Sequence, residues 1–392
     1  MTKLETIIHM KNHSPICIGI LPTGEYIYSK AEVIKGINCL GLVSLVTKNI
    51  LNTLTVYRKD GTYGTLKLED SVSQFSINPD GSIYYDILNR RNAFQMKRYN
   101  HKKSEYIAGA NEDLFDDYGD LIFDDLNDGQ GEEVHFMGFE SLITRPDGVC
   151  MTVEKELGII RENYIDGRVG RIRDIDNSIK PYKIAIHPSG KYFVVDNYYS
   201  VIRQFNPDGK QERIIGEPER YYYSKYDKHK NFDGPIDNCF LEQPRTIASD
   251  IEGNIIFSDC RGIRMIDKDF TEVKTLFTEK KCVSCLTIDT DGNVIFGDYD
   301  GIYKLKVEGL KSGYHSWTHS NNYKSINNYK SIWDNVSFKI EYISPETIKT
   351  LQRILLTMYK IEVNDMYIPI ELIHYILKKT EYGPIMKTLK IK

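Results

Sequence analysis

The 392-residue chain lacks most of the signatures that would assign it a chemistry. There is no G-x-S-x-G elbow, no H-E-x-x-H pair and no phosphate-binding glycine loop, so the local marks of serine hydrolases, zinc peptidases and P-loop enzymes are missing. The longest apolar-leaning run, INCLGLVSLV at 37–46, falls far short of the roughly 20 residues that cross a bilayer. The opening MTKLETIIHMKNHSP has no apolar core of a secretory signal. Seven cysteines (Cys17, Cys39, Cys150, Cys239, Cys260, Cys282 and Cys285) are odd in number and follow no disulfide framework. These absences predict a soluble, cytoplasmic protein of a reducing compartment, with no membrane partner. A net charge of −4 gives no general pull toward nucleic acid.

What is present is patterned. Hydrophobic residues make up 41% and charged residues 27%, the balance of a globular chain, and 28 tyrosines favour strands. A turn-Gly-strand phrase recurs at Gly24, Gly81, Gly148, Gly190, Gly253 and Gly292, with spacings of 57, 67, 42, 63 and 39 residues. Two copies, DIEGNIIFSD at 250–259 and DTDGNVIFGD at 289–298, are nearly identical. In these phrases a turn at Gly, mostly preceded by Asp or Ser, joins two strands, Gly supplying positive φ and a nearby Asp or Asn side chain supporting the turn. The strand that follows is apolar on both faces, as a strand buried between neighbouring sheets must be. The two shortest spacings match one four-stranded propeller blade of about 40–45 residues.

The segment from Pro244 to Asp267, together with NFDGPIDNCFLEQPRTIASD at 231–250 and a second copy at 106–148, resembles the NHL repeat. The resemblance covers about 106–308 well and 14–105 weakly. It implies an all-β fold, a six-bladed β-propeller, placed here at 14–310. Outside it, the residues read as a leader at 1–13, a polar linker at 311–343 and, from the helical apolar spacing after Ser344 and Pro345, a short α-helical tail at 344–392. The strand-like SFKIEYIS at 337–344 is expected to help close the ring. Within blade one, CLGLVSL and LTVYR are expected to be two separate strands.

Several segments stand outside the repeat. Residues 112–133 hold ten acidic and no basic residues, in a spacing that fits no calcium loop and reads as a solvated insertion. ERYYYSKYDKHK at 219–230 gathers Tyr221, Tyr222, Tyr223, Lys225, Tyr226 and Lys228, a mixture suited to gripping a protein partner. Arg168, Arg171 and Arg173 read as a solvated outer face. Cys282 and Cys285 form a lone C-x-x-C, best explained by packing in a strand. The His9/His13 and His315/His319 pairs lie where no helix is expected. IPIELIHYIL at 368–377 resembles the opening of an F-box; Ile368, Pro369, Leu372, Ile376 and Leu377 would be its docking face, with a ubiquitin-ligase adaptor as the implied partner. The richness in Ile, Asn, Lys and Tyr points toward an AT-rich genome such as that of a large DNA virus.

The favoured reading is a non-catalytic protein-binding scaffold using propeller rim loops, with no cofactor, no catalytic residues and no metal ligands. The alternatives are a metal-dependent, gluconolactonase-like hydrolase or lyase, and an RNA-binding NHL propeller. Asp196, Asp250, Asp259, Asp289 and Asp298 recur with the repeat and so read as turn formers rather than ligands.

Overall fold

A computed structural model of the chain describes residues 3–10, 13–37, 43–58, 61–88, 93–100, 102–111, 128–172, 179–218, 232–278, 283–316 and 337–339. The strands form six separate antiparallel sheets, each built around four strands in meander order. These are the blades of a propeller. Blade one comprises His13–Ile20, Tyr26–Ile37, Val43–Tyr57 and Tyr63–Lys67, and blade two Phe75–Ile77, Ile83–Leu88, Phe94–Tyr99 and Ser104–Ala108. Blade three is Ser141–Thr144, Cys150–Glu154, Ile159–Asn163 and Arg168–Arg171, and blade four Pro181–Ile186, Tyr192–Asp196, Val201–Phe205 and Gln211–Ile215. Blade five is Thr246–Ser249, Ile255–Asp259, Gly262–Ile266 and Glu272–Thr278, and blade six begins with Cys285–Ile288, Val294–Asp298 and Gly301–Lys306.

The core shows that the ring closes. Buried apolar residues fall into six clusters, and each lies at one joint between neighbouring blades. The joint of blade six with blade one is among them: Ile295 and Ile302 pack with Ile18, Ile20, Tyr26 and Tyr28. An open sandwich has no such cyclic set. The second strands of blades three to six are buried at every position, which is why NIIFSD, NVIFGD and KYFVVD carry no polar face.

The near-identical phrases are explained by one carboxylate each. Asp250 Oδ1 accepts the backbone N–H groups of Glu252, Gly253 and Asn254 at 3.0, 2.9 and 2.8 Å, while Oδ2 accepts from the Asn254 side chain at 2.8 Å. Asp289 repeats this with Asp291 N (2.9 Å), Asn293 N (2.8 Å) and the Asn293 amide (3.0 Å). Gly253 sits at φ +99°, and a Cβ there would lie 2.2 Å from His187 Nε2. Gly292 sits at φ +79°, where a Cβ would lie 2.4 Å from the Leu310 carbonyl oxygen. Close approach therefore reinforces the turn's own demand for glycine.

Blade one and the closure differ from the sequence expectation. The segment taken for a leader supplies the fourth strand of blade six: Lys3–His9 pairs antiparallel with Gly301–Lys306, and Met10 N donates to the Asp300 carbonyl at 2.8 Å. Ser337–Lys339 instead adds a fifth strand to blade one, against Tyr63–Thr65. CLGLVSL and LTVYR are not two strands; Val43–Tyr57 runs without a break from the first into the second. Among the described residues its first half pairs only with Glu32–Ile37, so blade one extends into a two-stranded arm. Residues 344–392, including the F-box-like stretch at 368–377, lie outside the described residues.

An arginine–acid staple recurs in three successive blades. The last residue of the second strand is acidic, and the third strand carries Arg at its third position. Arg161 lies 3.3 Å from Glu154, Arg203 2.9 Å from Asp196, and Arg264 2.6 Å from Asp259. Asp196 and Asp259 thus do more than form turns. Arg161 also donates to the His135 carbonyl at 2.9 Å, and Arg264 to the Phe240 carbonyl at 3.0 Å. Each ties its blade to the segment arriving from the previous one.

Candidate functional site

Strand alternation decides what the two faces of the ring carry. First strands all run the same way, so their N-terminal ends share one face with the turns between second and third strands and with the crossings between blades. The Asp-Gly turns lie on the opposite face. The first face therefore receives the blade-one arm and the crossings that flank the acidic segment (111 and 128) and the tyrosine-rich segment (218 and 232). Tyr221, Tyr222, Tyr223, Lys225, Tyr226 and Lys228 themselves lie outside the described residues.

The first strands line a central channel with a cavity of about 120 Å³. Toward the insertion face its wall includes Cys17, Gln74, Ser141, Lys183, Thr246, Ser284 and Cys285; deeper it mixes Ile20, Ile77, Ile184 and Ile288 with Ser76, Ser249 and Thr287. The opposite mouth is crossed by the segment after blade six. Lys311 N donates to Asp250 Oδ2 at 3.2 Å, Ile251 N to the Ser312 carbonyl at 2.9 Å, and Gly313 N to the Asp289 carbonyl at 3.0 Å. Gly313 and His315 then line the channel floor, and Tyr314 packs on the blade three–four cluster. The channel is thus a blind pocket that opens among the insertions.

Lys183 is the central group. Its Nζ donates to Gln74 Oε1 at 2.8 Å and to the Glu140 backbone carbonyl. Burial holds its amine below the ordinary lysine range, against the opposing pull of Cys17, Glu140, Cys285 and Asp86. No carboxylate among the described residues comes close enough to form an ion pair with it. Asp86 is engaged elsewhere, accepting from Ser73 N and Gln74 N at 2.8 Å each and from Ser73 Oγ at 2.5 Å. Burial pushes its carboxyl up to about 6. Burial also raises the Cys17 thiol and pushes Cys285 up to about 12, which keeps both protonated and poorly nucleophilic.

This wall does not fit a divalent metal. A hard cation needs converging carboxylates or imidazoles, whereas the channel offers hydroxyls, thiols, one amide, a lysine amine and the single imidazole of His315 on its floor. No group of three or more His, Cys, Asp or Glu side chains among the described residues is arranged to hold a metal ion. Cys285 is buried in the core cluster at the joint of blades six and one and also borders the channel, so it packs as expected; Cys282 and His319 lie outside the described residues. Arg168 and Arg171 are exposed on the outer strand of blade three, Arg168 pairing with Asp166 at 2.8 Å and lying 4.6 Å from the Tyr164 ring centroid. Arg173 lies outside the described residues.

Sequence reasoning missed Lys183 and its neighbours. YKIAIH reads as an ordinary blade strand, and the partners come from 109 and 43 residues away. Only the alternation of Lys183 against Ile184 carries a local signal.

No protein-family model matches the chain, and no curated protein matches it in sequence. Solved structures do. A structure described as a gluconolactonase-family protein superposes with a TM-score of 0.52 at 12% identity, covering 80% of this chain and 93% of that one. A luciferin-regenerating enzyme gives 0.50 at 10% identity, covering 80% and 97%. A streptogramin B lyase gives 0.48 at 16% identity, covering 78% and 97%. Among the described residues no helix is long and apolar enough to cross a membrane. At these identities the likeness establishes the architecture alone: the chain is a six-bladed β-propeller.

Proposed function

We propose that the protein is a non-catalytic binding platform of NHL-like repeats, whose docking face is the one that bears the blade-one arm, the two long crossings and the open mouth of the channel. The observation that carries the reading is the convergence of these elements on a single face, which strand alternation requires. A rigid ring supports loops of unequal length, and such loops give specificity while the blades give position. The recurring carboxylates favour the same reading, because Asp250, Asp289, Asp259 and Asp196 are engaged in turns and staples. Tyr221, Tyr222, Tyr223, Lys225, Tyr226 and Lys228 are the partner-contacting residues in this reading. The segment 368–377 would carry the captured protein to a ubiquitin-ligase adaptor through Ile368, Pro369, Leu372, Ile376 and Leu377.

The test is capture of a partner by three forms of the protein. One is wild type, one replaces 219–231 with a short Gly-Ser linker, and one carries charge reversals at Glu252 and Asp291, exposed in the turns of the opposite face. The reading expects the linker form to lose the partner and the turn variants to retain it. Equal capture by the linker form refutes the docking face. A stoichiometric divalent ion with turnover of a lactone refutes the non-catalytic assignment. Deleting 344–392 tests the adaptor separately: unchanged adaptor binding removes that role.

A further inference from the structure

The channel mouth carries a second binding site, independent of whether a protein docks around it. Three neighbouring blades each place a hydrogen-bond donor on one arc of the wall. The first residue of blade three, Ser141, is largely buried, borders the channel and makes no side-chain hydrogen bond among the described residues. Gln74, just before blade two, is buried; Lys183 occupies its Oε1, which leaves the amide N–H₂ as a donor. Lys183 uses two of its three N–H groups on neutral acceptors, and the third has no acceptor among the described residues. An amine, an amide and a hydroxyl on one rim make a donor set without a built-in counter-ion. Beyond the rim Ile20, Ile77, Ile184 and Ile288 offer aliphatic surface between Ser76, Ser249 and Thr287, so a short apolar stem could follow a charged head inward.

We propose that the channel mouth binds a carboxylate, with the Lys183 ammonium as its ion partner and Gln74 and Ser141 as flanking donors. A carboxylate offers two oxygens with about four acceptor directions, which suits three converging donors. The cavity of about 120 Å³ admits a small aliphatic acid or the end of a peptide, and excludes a large anion. The pocket is electrostatically set for this on the acid side. Lys183 faces Asp86 from blade two, Glu140 from the approach to blade three, Cys17 from blade one and Cys285 from blade six. The thiols stay neutral, and Asp86 loses its charge below about pH 6. Carboxylate binding therefore strengthens as Asp86 is neutralised and weakens as pH rises.

The experiment titrates the full-length protein with propionate, and separately with a short Ala-Val-Leu peptide bearing either a free or an amidated C-terminus. Binding is followed by calorimetry and by the shift of a ¹³C-labelled Lys183 ε-methylene. The proposal expects saturable binding of propionate, and weakening of roughly tenfold or more in Lys183→Met, which keeps the stem and removes the charge. Ser141→Ala, a smaller perturbation of the fold, should weaken binding by about two- to tenfold. Lys210→Met, exposed on blade four, should change nothing. Binding of the free peptide but not propionate assigns the site to a chain terminus; binding of both assigns it to carboxylates in general. No saturable binding of either ligand by wild type refutes the site, as does undiminished binding in folded Ser141→Ala and Lys183→Met together.

Discussion

Arg264 offers the sharpest quantitative test of how the blades are joined. Its side chain is 0% exposed, as is that of its partner Asp259. Nη1 donates to Asp259 Oδ2 at 2.6 Å and to the Phe240 carbonyl at 3.0 Å; Nη2 donates to the Phe232 carbonyl and lies 3.4 Å from Asp233 Oδ1. The guanidinium also lies 5.4 Å from the Phe257 ring centroid. Arg264→Met keeps most of the packing volume but strands a buried carboxylate and two carbonyls. Removing one member of a buried ion pair costs about 3–5 kcal/mol. Asp259 keeps two other donors, the backbone N–H groups of Arg261 (2.8 Å) and Glu242 (3.2 Å), so the lower half of that range applies to the carboxylate. The two carbonyls add roughly 1 kcal/mol each, for a total of about 5–6 kcal/mol. Urea unfolding measures the loss. Asp259→Asn in the Arg264→Met background should recover part of it, because the stranded charge is then gone. Arg261→Ala is the control: its ion pair with Glu242 is 47% exposed on the arginine side, so its loss should cost less than about 1 kcal/mol. A loss below about 1 kcal/mol for Arg264→Met would refute the staple as a structural joint. The damage should be local as well: amide exchange should accelerate at Ile236, Cys239 and Leu241, which pack between blades four and five.

Three further outcomes follow from the same physics. Gly253→Ala should destabilise by about 2–4 kcal/mol, since φ is +99° and the Cβ would strike the His187 ring, itself packed against Phe193 and Phe270; Gly148→Ala, at φ +86° with nothing within 4 Å, should cost only about 1–2 kcal/mol by thermal unfolding. Asp86 titrates near 6 in the native state and near 3.8 when unfolded, so the native state holds the extra proton between those values. Stability should therefore fall by about 3 kcal/mol as pH rises through that window, at about 1.4 kcal/mol per unit, and Asp86→Asn should flatten the slope. Glu154, pushed up to about 7 by burial, leaves a residual slope of the same sign. Deleting residues 1–10 should cost about 2–4 kcal/mol in urea unfolding, because it strips half-buried Ile7, Ile8 and Met10 from the joint of blades six and one and bares a strand edge.

What could be read from the sequence was whatever is local. An Asp-x-x-Gly-Asn turn and the strand after it are specified within ten residues, so the phrases at Gly253 and Gly292 announced their hairpins. The both-face apolarity of NIIFSD and NVIFGD announced burial between blades. Closure was not legible, because KLETIIH is an outer strand with a largely exposed pattern and its partner lies almost three hundred residues away. The arm escaped notice because Val43–Tyr57 is far longer than a blade strand and, among the described residues, its first half pairs only with Glu32–Ile37. The Arg staples carried a signal that was overlooked: an acidic residue closing one strand and Arg at the third position of the next. Lys183 carried almost none, since a pocket made by six strands from six blades has no footprint in any one of them.

The claim on which the rest depends is that the first strand of the chain closes the ring. Glu5 stands opposite Lys304 in the register of that strand pair. A Glu5→Cys, Lys304→Cys variant oxidised at low concentration should form an intramolecular disulfide in high yield and raise resistance to urea, whereas Glu5→Cys with Lys67→Cys should not. Failure of the first pair to cross-link within one chain, or equal cross-linking of the second, would contradict the closed propeller.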